Sequence, residues 1–174
     1  MVTYKDRFSR KNLFAIFVAC AFAIHIWSIF GLLNQIPAWI LRVNLWELAG
    51  MVSLTLVFTL FESLIVTLGV VLLVALIPGE WFTKRVVTIA AVFIWLTAIL
   101  SIIAHLQEPL IRSFWGPVIF ITYLVLLVGS VWMVWKFPKF EMGLQSLLGR
   151  LTVLTAIYLF IDLIAFLIVV IRNI

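Results

Sequence analysis

Polar residues interrupt the apolar character of the chain at only a few places, and between them lie five long runs: Leu13 to Leu33, Leu48 to Ile77, Val86 to Leu106, Phe114 to Trp135 and Leu151 to Ile171. A hydrocarbon core of about 30 Å is crossed by roughly 20 helical residues at 1.5 Å each. Each run is long enough. Transmembrane β-strands would read as alternating segments of about ten residues, whereas these runs are continuous. The pattern predicts an all-α, polytopic helical membrane protein: one bundle domain over 1–174, five transmembrane helices, and no room in the short connections for a soluble domain.

The connections carry their own signals. Asn34 to Asn44, with Pro37, Trp39 and Arg42, suits a short segment lying in the interface. Pro78 and Gly79 read as a helix stop, Gln107 to Pro109 closes the third run, and Pro117 falls in the first turn of the fourth, where its missing N–H does little harm. Phe137 to Arg150 reads as an amphipathic linker. The second run exceeds what a perpendicular span requires, which predicts a tilted helix or one that emerges into the interface. Trp39, Trp46 and Trp115 fall toward one boundary and Trp81, Trp132 and Trp135 toward the other, as anchoring aromatic belts do. Trp95 lies within the third run and reads as a packing aromatic.

Composition agrees: 66% of residues are hydrophobic and 11% charged, too little polar surface to coat a soluble globule. The formal charge of +5 does not point to nucleic acid, because the basic residues are spread over several loops. Lys5, Arg7, Arg10, Lys11, Lys84, Arg85, Lys136, Lys139 and Arg150 fall on one side of a five-span arrangement, and Arg42, Arg112 and Arg172 on the other. That bias predicts a cytoplasmic N-terminus and an external C-terminus in a cell membrane, on general appearance a bacterial inner membrane. A basic start followed by an apolar stretch also has the outline of a signal peptide, but the run continues past Cys20 to Leu33, long enough to be retained as a span. A single cysteine excludes an intramolecular disulfide.

Against this background the ionisable residues inside the runs stand out. A charge at the bilayer centre costs about 2.5 to 3.5 kcal/mol on insertion scales, so such groups usually face protein. Counting along the helices places Glu62, Asp162 and His25 at similar depth, an intramembrane polar layer. Thr55 and Thr59 lead to Glu62, Val66 and Gly69 at helical spacing, Thr155 and Tyr158 lead to Asp162, and Ala21 and Ser28 flank His25. All three are expected to face inward. Ala15, Ala19 and Ala23 form a small-residue stripe that permits close helix packing, either around a central first helix or against a partner.

No Lys or Arg lies within a run to neutralise the two acids, so they suit either hydrogen-bonded pins or a proton-sensitive site. Metal is not expected, since neither H-x-x-x-H nor E-x-x-H spacing occurs; His105 lies near the end of its run, unsuited to sharing a haem with His25. No cofactor and no catalytic residues are expected, because G-x-S-x-G, glycine-rich phosphate loops and H-E-x-x-H are all missing. Two functional readings follow. The first is a non-enzymatic subunit or assembly partner of a membrane complex, with neighbouring subunits or further copies of itself as partners within the lipid bilayer. The alternative is a proton- or cation-coupled transporter or channel component using Glu62 and Asp162, with His25 as relay.

Overall fold

A computed structural model describes residues 8–77, 80–106 and 115–173. Within them the chain is five α-helices, all long and apolar enough to cross a membrane: α1 (Arg10–Ile40), α2 (Leu45–Leu76), α3 (Glu80–Leu106), α4 (Trp115–Lys136) and α5 (Pro138–Asn173). The expected turn at Pro78 and Gly79, the stretch Gln107 to Pro109, and Lys5, Arg7 and Arg112 lie outside the described residues, as do the side chains of Trp81, Lys84 and Trp115.

Local chemistry sets the helix ends. Ser9 caps α1 by accepting from the Asn12 N–H. Asn44 and Glu47 form a reciprocal capping box that starts α2 three residues before the apolar run begins. Between these two helices lies a turn of only a few residues, because α1 runs on to Ile40 through Pro37. The separate interfacial segment expected over Asn34 to Asn44 is therefore mostly helix. A proline there gives up a single ladder hydrogen bond close to the helix end, and the apolar residues around it keep the helical face going.

The other connection departs from expectation more strongly. The amphipathic linker read from Phe137 to Arg150 is not separate, since α5 runs unbroken from Pro138 for 36 residues, about 54 Å. The Phe137 N–H closes α4 on the Met133 carbonyl, while the Phe137 carbonyl accepts from Phe140 and Glu141 and opens α5. Proline at the first position of a helix loses nothing there. Leu148 and Leu151 then bury themselves against the bundle and hold this first stretch of α5 in line.

α1 is the hub. It packs against α2, α3 and α5, while α4 touches mainly α3 and lies at the periphery. Ile16, Ala19 and Cys20 of α1 meet Val86, Ala90, Ala91 and Ile94 of α3 and Val70 and Val74 of α2 in the main apolar cluster. The alanine stripe is thus used inside the chain. Ala19 is fully buried, and its carbonyl accepts a 3.2 Å hydrogen bond from Trp95 Nε1 of α3. Ala19 is therefore closed to another protein by α3, whereas Ala15 and Ala23 are only part-buried and Ala23 borders an open groove between α1, α2 and α3. Trp95 also sets its ring edge-on to Phe22, a packing role with a polar tether.

Two arginine fastenings, one an ion pair and one a hydrogen bond to a backbone carbonyl, hold opposite ends of the bundle. Arg85 Nε donates to Glu141 Oε2 at 3.1 Å, joining the starts of α3 and α5. At the other end the Arg172 guanidinium of α5 donates to the Glu47 carbonyl at 3.3 Å and lies directly on Gly50 of α2. A Cβ at position 50 would fall on that guanidinium, so glycine is what admits the approach.

Candidate functional site

The expected polar layer divides into two sites of different character. His25 of α1 and Asp162 of α5 form the first. Both are about 1% exposed, and Nε2 lies 2.9 Å from Asp162 Oδ2. The other ring nitrogen, Nδ1, is 2.8 Å from the Ala21 carbonyl. A carbonyl can only accept, so Nδ1 carries a hydrogen. A single further proton then lies along the line from Nε2 to Oδ2, held either by the imidazole or by the carboxyl. In both arrangements the pair as a whole is neutral. This answers how an acid can sit inside an apolar bundle with no lysine or arginine near it.

Tyr158, one helical turn before Asp162, stacks its ring on the imidazole at 5.0 Å and 5° between planes, which fixes the plane in which His25 can lie. Thr155 is buried a further turn away and returns its hydroxyl to the Leu151 carbonyl. Asp162 Oδ1 has no hydrogen-bond partner among the described residues. Beside the pair is an apolar hollow of about 190 Å³ between α1, α2 and α5.

Ser28 and Thr59 extend the polar contacts between α1 and α2, their hydroxyl oxygens 2.8 Å apart. Thr59 Oγ1 is also 2.8 Å from the Thr55 carbonyl, and Thr55 returns its own hydroxyl to Met51. The series continues to Ser63, bonded to the Thr59 carbonyl, and Thr67, bonded to that of Ser63. Ser63 is fully buried and was not among the residues expected to matter. Its signal was present in the four-residue spacing of Thr55, Thr59, Ser63 and Thr67.

Glu62 is the departure. It was expected to face inward at the level of Asp162 and His25, yet it is exposed and makes no hydrogen bond or ion pair among the described residues. The reason is that the buried side of α2 turns along its length. Gly50, Ser53 and Val57 are buried up to residue 57, and Thr59, Ser63, Val70 and Val74, on another side, from residue 59 onward. Ser63 takes the inward position, and Glu62, about 100° around the helix from it, points out of the bundle.

Glu62 points into a second site, a groove of about 520 Å³ between α1, α2 and α3, whose polar lining comes from Glu62, Cys20, Thr97, Ser101 and His105. Thr97, Ser101 and His105 follow one another at four-residue spacing down one face of α3. Thr97 Oγ1 bonds the Phe93 carbonyl and lies 3.0 Å from the Tyr123 hydroxyl of α4. His105 meets Trp27 edge-on at 5.3 Å. An adjoining, wholly apolar groove of about 470 Å³ between α2, α3 and α4 shares Val70 and Phe93 with the first.

Among the described residues no group of three or more His, Cys, Asp and Glu side chains could hold a metal ion. His25 has both ring nitrogens engaged. No protein-family model, no curated protein and no solved structure matches the chain.

Proposed function

We propose that the chain is a non-enzymatic subunit of a membrane complex, inserted with its N-terminus cytoplasmic and its C-terminus external in a bacterial inner membrane, and that the gap between α2 and α3 is where it receives a neighbour. The observation that carries this reading is Glu62. The carboxyl lies midway along a spanning helix, points out of the bundle and has no partner within the described chain. In a bilayer such a group is costly, by about 2.5 to 3.5 kcal/mol on insertion scales, unless protein receives it. A neighbour seated in the groove supplies what the chain itself does not. The excess of nine basic residues over three on the two sides supports the orientation.

The transport reading draws less support. It needs a proton or cation to visit both acids, but Glu62 lines the groove of α1, α2 and α3, whereas Asp162 lines the hollow of α1, α2 and α5 and is held by His25. Glu62 and Asp162 thus open on different sides of the α1–α2 pair.

Native mass spectrometry from mild detergent or from membrane patches of the source cell tests the assembly reading. The expected result is a complex heavier than the 19.9 kDa chain, with a second polypeptide in fixed ratio that dissociates when Glu62 is replaced by leucine. A chain released only as a lone 19.9 kDa species under these conditions would refute it.

A further inference from the structure

We infer that the occupant of the gap is a transmembrane helix of another protein that carries one lysine or arginine at mid-depth, set against Glu62. This rests on the assembly reading and names the chemistry of the partner. The two grooves between α2 and α3 adjoin at Val70 and Phe93, and end to end they make a furrow from Ile77 and Phe82 to His105, along most of the length of α3. A furrow of that extent fits an element that itself crosses the membrane.

Its walls permit close approach. Ala23 and Ala98 line one part and Ala90 the other. Small residues are what membrane helices use to bring their backbones together. The furrow therefore combines length, shallow walls and one unmatched acid.

The charge must come from outside. No Lys or Arg occurs within any of the five apolar runs. Glu62 lies 17 residues from the start of α2 and 14 from its end, about 26 Å and about 21 Å along the axis. A lipid headgroup keeps its charge at the bilayer surface, too far away to meet Glu62. A side chain borne on a spanning helix reaches it. An ammonium brings three donors, and the groove that Glu62 lines is also lined by Ser101, whose hydroxyl makes no hydrogen bond of its own among the described residues and can accept from a donor seated there.

The test uses the full chain, dye-labelled at its N-terminus, in phosphatidylcholine vesicles with synthetic leucine–alanine helices of about 21 residues that carry a single central Lys, Leu or Glu and an acceptor dye. Energy transfer reports binding. The Lys helix is expected to bind at least about tenfold more tightly than the Leu helix, the range of a strong interhelical polar contact. Glu62→Gln is expected to abolish the preference, and Glu62→Lys to transfer it to the Glu helix.

If Lys and Leu helices bind equally, the charge pairing is wrong, while docking of a helix in the furrow stands. If no helix binds but the lipophilic cation tetraphenylphosphonium does, in a manner lost with Glu62→Gln, the occupant is a small amphiphile and the inference falls. If neither binds, both the inference and the furrow as a docking place fall. Because Glu62 is exposed and makes no hydrogen bond or ion pair among the described residues, its variants are expected to fold, and circular dichroism of each in the same vesicles checks this.

Discussion

Asp162 and Glu62 are both carboxyls well inside helices long and apolar enough to cross a membrane, and they have opposite surroundings. Asp162 is sealed between α1 and α5, bonded to His25 and flanked by the Tyr158 ring. Glu62 lies open in a furrow with no bond to anything in the described chain. An acid inside a membrane is costly unless something receives it, and only Asp162 is received within the described chain. The first is matched within the fold and belongs to stability; the second is left unmatched among the described residues, and association is the role we propose for it. The contrast turns on one proton as well, because the His25–Asp162 pair is neutral in either protonation form, whereas Glu62 has no second group to share with.

The largest test of that contrast is Asp162→Ala. Removing one member of a buried pair leaves His25 Nε2 stranded and should cost about 3 kcal/mol, measured as unfolding in mixed detergent micelles. Asp162→Asn puts an amide donor against a neutral imidazole and should cost about 1 kcal/mol. Equal losses from the two would mean that the hydrogen bond to His25 contributes nothing. Next comes Ala19→Leu, which forces the α1–α3 contact apart and strains the Trp95 tether, with an expected loss of about 2 kcal/mol. A smaller effect, about 1 kcal/mol, is expected of Gly50→Ala, which displaces the Arg172 guanidinium from the Glu47 carbonyl. The same change in an Arg172→Leu background should cost nothing further if the guanidinium is the cause. The smallest effect belongs to Glu62→Gln, which should shift the stability of the isolated chain by less than about 0.5 kcal/mol. A loss as large as that from Asp162→Ala would show that Glu62 has a partner inside the bundle, and the contrast would collapse.

How far the sequence could be read follows from the kind of signal each feature leaves. The five helices were legible because continuous apolar runs leave the backbone no other way to satisfy its hydrogen bonds in lipid. His25, Tyr158, Thr155 and Asp162 were legible as a cluster, since counting along two helices brings them to one depth and polar spacing gives their faces. Glu62 was not, because counting gives depth but no fixed face on α2, whose buried side changes as its neighbours change along its length. Thr55 and Thr59 follow the expected seam; Glu62, Val66 and Gly69, further on, have turned to the exposed side. The unbroken α5 was hidden for a different reason. Lys139, Glu141 and Arg150 look like the polar residues of a loop, and only the Arg85 contact and the burial of Leu148 explain why that stretch remains helical.

Helix α5 carries three fastenings, each to a different neighbour: Glu141 to Arg85 of α3, Asp162 to His25 of α1, and Arg172 to the Glu47 carbonyl of α2. The outermost two are 31 residues apart on a single rod, about 46 Å. A slide of α5 by one turn, about 5.4 Å, would pull all three apart together. The longest helix therefore works as a gauge bar: it sets the relative heights of the three helices around it, and none of them can shift lengthwise alone without breaking its own notch on the bar.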